Sequence, residues 1–245
     1  MTNLPFVSVL IPAKNEAENL PALLDEIRQA LAHESYEVIV VDDGSSDDSL
    51  ERLLAIRQAG FPELRILRHD RSLGQSTSLY HAANAAQGLW LATLDGDGQN
   101  DPADIPGMLA LVRDPKCPRD LKLVAGHRVH RQDSASKRWA SRFANRLRVA
   151  LLHDATPDTG CGLKLIEREL FLQLPYFDHM HRFIPALVQR HGGKTRNHPV
   201  NHRPRQAGTS NYGNLDRALV GILDLFGVWW LIKRTRLNAH TEEVG

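Results

Sequence analysis

The sequence predicts an α/β protein: a doubly wound, mostly parallel sheet flanked by helices, with an amphipathic helix at the C-terminus. Three observations carry that expectation. Short, β-branched apolar runs bounded by turn residues recur along residues 7–126, which is how strands buried on both faces read. Leucine-rich stretches at helical spacing separate them, and such alternation points to a parallel sheet with crossover helices. Polar clusters, "KNE", "DDGSSD" and "DGDGQ", close three of the runs, on the edge where sheets of this kind bind ligands.

The elements follow in order. Val7–Pro12 is the first strand, ended by proline, and Glu16–His33 carries Leu20, Leu23, Leu24, Ile27 and Leu31 on one helical face. Glu37–Asp42 is the second strand. A helix over Asp47–Gln58 follows, with Ser46 placed as its cap and Leu50, Leu53, Leu54 and Ile56 inside. Leu64–Leu67 is a weaker strand, and Gln75–Gln87 is an alanine-rich helix with Gly88 as its stop. Leu89–Asp95 and Lys122–Gly126 complete five strands, and Asp101-Pro102 starts the helix between them. Beyond these, Ser136–Leu152 reads as a basic helix, residues 195–213 as a turn-rich loop, and Leu215–Arg236 as a final helix. No internal repeat or linker interrupts the chain. Residues 1–212 are expected to form one domain and 213–245 a helix and tail.

Composition narrows the classes. The chain has 245 residues, 42% hydrophobic, enough for a sizeable core, and a formal charge of +1 that selects no partner. Its two cysteines, Cys117 and Cys161, lie far apart without metal-like spacing, as in a reducing compartment. The start, "MTNLPFVSVLIPAKNE", lacks a basic region followed by a long apolar run, so a cytoplasmic placement is expected. No basic-aromatic motif of a nucleic-acid module occurs, so no nucleic-acid partner is expected. Among the 12 histidines there is no HExxH and no Cys/His grid.

The loop "LDGDGQNDP" carries the sharpest chemical signal. Asp95, Asp97 and Gln99 alternate along it, and alternate residues of an extended segment point the same way. Hard cations such as Mg²⁺ take oxygen ligands of this kind, often few from the protein and the rest from substrate phosphates. A solvated turn is the competing reading. Asp42 and Asp43 divide likewise between contact with a base or ribose and a helix start, in which Ser45 or Ser46 caps. Asn15-Glu16 reads either as a helix start or as a strand-end polar pair. Arg128 follows the fifth strand, with Arg131, Lys137, Arg138 and Arg142 soon after; arginine forks suit phosphate, while most such runs are solvated helix faces. Arg203 and Arg205 sit where a loop could close over a diphosphate.

The last helix, Ala218–Ile232, is apolar but shorter than the ~20 residues a membrane span needs, and Asp224 lies within it. Trp229 and Trp230 beside Lys233 and Arg234 suit a membrane interface. A terminal helix packed on the core, or on a second subunit as in a homodimer, fits equally.

Together "VSVLIPAKNEAENL", "VVDDGSSDDS", "LDGDGQNDPADIP", "GHR", "DTGCGLK" and "HRPRQAGTSNYG" resemble family-2 glycosyltransferases of the GT-A fold. They are closest to the branch of dolichyl-phosphate mannose synthase and bacterial polyprenyl-phosphate glycosyltransferases. That resemblance spans residues 7–234. It implies a doubly wound GT-A sheet and a metal-dependent, inverting transfer of a sugar from a UDP- or GDP-linked donor to polyprenyl phosphate. It further implies that Pro12, Ala13, Asn15 and Glu16 line the nucleotide pocket with Asp43 on the base. Asp95, Asp97 and Gln99 would hold Mg²⁺ or Mn²⁺, Asp95 also facing the donor. Arg128, Lys137 and Ser141, with Arg138 beside them, would take the acceptor phosphate, and Arg205 and Ser210 would close on the donor. Asp97, Arg128 and Arg205 would then act in catalysis. With no paired transmembrane helices in this chain, peripheral attachment at the cytoplasmic face of the inner membrane is implied. The rivals are a transferase with a saccharide acceptor, for which Asp158 is the one acid near "DTGCGLK", and a non-catalytic nucleotide-sugar-binding or membrane scaffold protein.

Overall fold

The computed structural model describes residues 4–129, 147–154, 156–204 and 214–234, with side chains of the last segment from 221 onward. Seven strands form one sheet: β1 (Val7–Ala13), β2 (Tyr36–Asp42), β3 (Leu64–Arg68), β4 (Trp90–Thr93), β5 (Leu121–Arg128), β6 (Lys164–Glu167) and β7 (Lys194–Val200). Their order is β3-β2-β1-β4-β6-β5-β7. The first four are parallel, β6 runs antiparallel between β4 and β5, and β7 is parallel to β5.

The continuous apolar runs are explained by burial on two faces. Val7, Val9, Ile11, Val38 and Val40 point into one core, and Leu10, Ile39 and Val41 into the other, following the period of two in a strand. Helices α1 (Leu20–Ala30), α2 (Ser49–Gln58) and α4 (Ile105–Arg113) cover the first face. Helices α3 (Gln75–Ala85), α6 (Arg168–Gln173), α7 (Ile184–Arg190) and α8 (Asn214–Lys233) cover the second. Residues 147–152, between α4 and α6, are helical and are labelled α5; the rest of the expected helix from Ser136 falls outside the described residues.

Several boundaries differ from the sequence reading. α1 starts at Leu20, not Glu16, because the Glu16 carbonyl accepts from Asn19 N and Leu20 N at 3.0 Å in a preceding turn. α2 starts at Ser49, and Asp47, not Ser46, accepts from its backbone N–H at 3.1 Å. Gly88 is no helix stop: α3 ends at Ala85, and a Cβ on Gly88 would lie 2.7 Å from Ser8 N. Only glycine allows β1 to pass that closely. Asp101 does start the next helical segment, accepting from Ala103 N at 3.0 Å. Residues 195–200, expected as loop, belong to the edge strand β7; there Pro199 and exposed polar side chains are tolerated.

Candidate active site

Three strand ends meet on the carboxyl edge because β1 lies between β2 and β4. Asn15, just past β1, has a left-handed backbone (φ 55), a conformation that asparagine tolerates. Its Oδ1 accepts from Ser46 N at 2.8 Å, and its own N–H donates to Ser45 Oγ at 3.0 Å. Glu16 N donates to Ser49 Oγ at 3.1 Å, while its carboxylate accepts from Asn19 Nδ2 at 2.6 Å. "KNE" and "DDGSSD" are thereby stitched into one wall. Pro12 and Ala13 border the third cluster: a Cβ on Gly96 would come 3.1 Å from Pro12 O.

Asp43 is 5% exposed, and protein donors occupy its carboxylate. His69 Nδ1 lies 2.7 Å from Oδ1, which also accepts from Leu73 N at 2.8 Å. Ser72 Oγ and Gly74 N donate to Oδ2 at 2.8 and 2.9 Å. Burial raises its pKa, but these donors outweigh burial and hold it below the ordinary carboxylate value. These bonds tie residues 69–74 to the end of β2.

Asp95 and Asp97 lie beyond β4. Asp95 Oδ1 accepts from Gln75 Nε2, at the first position of α3, at 2.8 Å. Its carboxylate packs on the backbone of Gly162, where a Cβ would sit 2.5 Å from Asp95 Cγ and 2.7 Å from Asn100 Oδ1. Burial, then the Asp97 charge, push Asp95 up to about 6, while Lys164, Arg128 and the Gln75 bond pull the other way. Asp97 is 7% exposed and accepts from Gln99 N at 3.2 Å. Gly98 turns the loop with φ 70. Lys164, buried in β6, donates to Cys161 O, and burial depresses its pKa. Two mutually repelling carboxylates at the end of a buried strand suit a hard divalent cation, which takes oxygen ligands and leaves positions for substrate phosphates and water. The Gln99 side-chain amide nitrogen donates to Arg203 O at 3.4 Å. Among the described residues no group of three or more His, Cys, Asp or Glu stands ready for a metal.

Arg128 ends β5 and forks onto Asp158, with Nε and Nη2 each 2.7 Å from a carboxylate oxygen. Burial lowers its pKa, but Asp158 outweighs burial and raises it. Arg203 is tied to α1 and to the loop after β4. Its guanidinium donates to Glu26 at 2.9 and 2.7 Å and to Asn100 O at 3.1 Å, pinning β7's exit to α1. Lys137, Arg138, Ser141, Arg205 and Ser210 lie outside the described residues.

The family model for glycosyl transferase family 2 matches residues 8–174, most of the sheet and both acidic clusters. The chain belongs to that family. As a glycosyltransferase, it is 32% identical over 243 residues to the dodecaprenyl-phosphate galacturonate synthase of Rhizobium johnstonii, covering 96% of this chain and 69% of the relative. It is 33% identical over 208 residues to an undecaprenyl-phosphate 4-deoxy-4-formamido-L-arabinose transferase of Yersinia pestis, covering 84% of this chain and 62% of that one. The chain thus spans less than two thirds of the second relative's length. Among solved structures, glucosyl-3-phosphoglycerate synthase from Mycobacterium tuberculosis, bound to Mg²⁺ and UDP, aligns with a TM-score of 0.66 at 20% identity. That alignment covers 96% of this chain and 81% of that one. A mannosyltransferase from Pyrobaculum calidifontis, bound to GDP-Man and Mn²⁺, aligns with a TM-score of 0.62 at 23% identity, covering 84% and 59%. At these identities the likeness is one of fold, and the fold is the expected GT-A type.

In this glycosyltransferase the structure brings Pro12, Ala13, Asn15, Glu16, Asp43, Asp95 and Asp97 to one edge, with Arg128 linked electrostatically to Asp95. Sequence reasoning missed Gln75, which holds Asp95, and Lys164, buried beside it. The only sequence signal for Lys164 is a lysine inside the apolar stretch "GLKLI". Nothing in "LGQSTS" shows that its glutamine reaches across to another strand end.

Proposed function

We propose that the protein is a metal-dependent, inverting glycosyltransferase moving a sugar from a UDP- or GDP-linked donor to polyprenyl phosphate. The observation that carries the proposal is the Asp95–Asp97 pair, walled by Gly162 and oriented by Gln75 on the carboxyl edge of the sheet. Relatives named for polyprenyl-phosphate acceptors support the acceptor. Structures of this fold with UDP or GDP-Man and with Mg²⁺ or Mn²⁺ support the donor and metal classes.

In this reading residues 1–212 form the catalytic domain, and Asp95, Asp97 and Gln99 hold Mg²⁺ or Mn²⁺, Gln99 through its side-chain carbonyl oxygen while its amide nitrogen donates to Arg203 O. When bound, the metal supplies positive charge opposite the departing nucleoside diphosphate. Pro12, Ala13, Asn15 and Glu16 wall the nucleotide pocket, and Asp43 shapes it through the 69–74 segment. Arg128, aimed by Asp158, receives the acceptor phosphate together with Lys137, Arg138 and Ser141. Arg205 and Ser210 close over the donor, Arg205 adding charge on the leaving group.

No protein base is needed. A phosphate monoester carries about −1.5 to −2 charge near neutrality, so its oxygen forms the bond to the anomeric carbon directly. The bond to the nucleoside diphosphate breaks with its electron pair on the diphosphate oxygen, and in-line attack inverts the centre. A saccharide acceptor would need a carboxylate base, and Asp158, the nearest candidate, is 5% exposed and clasped by Arg128.

Residues 213–245 attach the enzyme peripherally to the cytoplasmic face of the inner membrane; among the described residues no helix is long and apolar enough to cross a membrane. The test incubates purified protein, Mn²⁺ and polyprenyl phosphate with a panel of UDP- and GDP-sugars, followed by mass spectrometry of the lipid fraction. A lipid-linked sugar from one donor is expected. No such product from any donor would defeat the acceptor assignment.

A further inference from the structure

The C-terminal helix and the Asp95 site touch the same short turn. On one side, His179 Nδ1 lies 3.2 Å from Asp224 Oδ2 in α8. On the other, His181 Nδ1 lies 2.8 Å from Ser76 Oγ, which also accepts from His181 N at 3.3 Å. Tyr176 reinforces the contact, its hydroxyl 2.8 Å from Thr77 Oγ1. The two histidine rings are themselves in contact, with centroids 6.4 Å apart. Ser76 follows Gln75 in the first turn of α3, and Gln75 donates to Asp95. Just before it, Gly74 N donates to Asp43. One turn, residues 176–181, therefore braces the residues that orient both acidic loops, and α8 braces that turn.

α8 has a second face. Leu225 and Val228 pack into the core at 6% and 2% exposure, whereas Leu223, Phe226 and Trp230 stand 72%, 52% and 56% exposed. With Ile222 and Trp229 they form one apolar stripe. Arg234 stacks over Trp230, its guanidinium 6.0 Å from the ring, and Lys233 lies beside it. Tryptophans along an apolar stripe with cations at its end match an anionic lipid surface in both polarity and charge.

We propose that His179 and His181 are positioning residues coupling this surface to the donor site. A lipid surface taken up by α8 fixes the 176–181 turn and the first turn of α3, and so tightens nucleotide and metal binding before any acceptor arrives. The inference rests on the nucleotide-sugar reading above but not on the identity of the acceptor.

The experiment titrates UDP and GDP with Mn²⁺ into the full chain, with and without phosphatidylethanolamine–phosphatidylglycerol vesicles free of polyprenyl phosphate. Vesicles should tighten binding of the cognate nucleotide by about fivefold or more, and by reciprocity the nucleotide should tighten vesicle binding by the same factor. His181→Asn and Ser76→Ala should bind vesicles like the parent and lose the coupling; two variants guard against a folding defect in either. Vesicle-insensitive nucleotide binding by the parent chain overturns the proposal alone. So does coupling retained in both variants, or an α8 stripe that pairs two copies instead of taking up vesicles. No nucleotide binding in either condition overturns it together with the functional reading.

Discussion

Gly162→Ala perturbs the proposed metal site without touching an acidic residue. The new methyl would press on the Asp95 carboxylate, 2.5 Å from Cγ and 2.7 Å from Asn100 Oδ1, where ordinary contacts begin near ~3.5 Å. The backbone has little room to retreat, since Gly162 O accepts from Thr93 Oγ1 at 2.5 Å. Asp95 must therefore shift by about 1 Å and give up its bond from Gln75. Overpacking of this kind costs ~1–3 kcal/mol, and loss of a hydrogen bond to a charged group ~1.5–3 kcal/mol. A displacement of about 1 Å at a reacting centre costs on the order of 10²-fold in rate. Urea denaturation and Mn²⁺-dependent transfer by the variant measure the two consequences. Gly98→Ala is the control: with φ 70 and open space around it, it should carry only backbone strain of ~1–2 kcal/mol and keep the carboxylates in place. Parent-like Mn²⁺ affinity and rate in Gly162→Ala would refute the placement of Asp95.

Other outcomes follow from the same geometry. Because Asp95 is held up at about 6, a proton competes with metal below that pH; Mn²⁺ affinity, followed by thermal shift, should rise through pH 5–7 and flatten above. Asp154, fully buried and paired with Arg148 at 2.6 Å, is likewise pushed up to about 6 by burial. A raised carboxyl pKa means the folded state holds its proton longer, so stability from this group falls as pH rises from ~4 to ~6. Asp154→Asn should therefore gain on the parent across that window in pH-dependent denaturation. At neutral pH Arg148→Met strands Asp154 and should cost ~3–5 kcal/mol, most of it recovered by adding Asp154→Leu. Asp43 has the opposite sign: its depressed pKa contributes stability above the ordinary carboxylate range, lost as pH falls through the folded value. Asp43→Asn should abolish that acid-side loss and weaken nucleotide binding, as seen by calorimetry.

The first five strands were legible because each is an apolar run with a turn signal at its end, β3 at the sheet edge being the weakest of them. β6 and β7 were not. β6 has four residues and opens on a buried lysine, so it offers no periodicity, and β7 is an edge strand whose sequence KTRNHPV looks like loop. The acidic site was legible as composition, since Asp95 and Asp97 follow an obvious strand. Its supports were not: Gln75, Lys164 and the Asp158 clasp on Arg128 come from other elements, and their contacts exist only once the chain has folded. Arg203 shows the converse. It sits among the right residue types, yet Glu26, distant in sequence, holds its guanidinium.

The central claim is that Asp95 and Asp97 carry transfer of a sugar to a lipid phosphate. It is tested most directly by comparing the parent chain and Asp97→Asn, each with Mn²⁺, polyprenyl phosphate and the cognate labelled nucleotide sugar, counting label in the solvent-extracted lipid. The parent should move label into lipid with inverted anomeric configuration, and Asp97→Asn should lose on the order of 10²-fold or more of the rate while remaining folded. Equal transfer by the two proteins, or transfer with retention, would contradict the account.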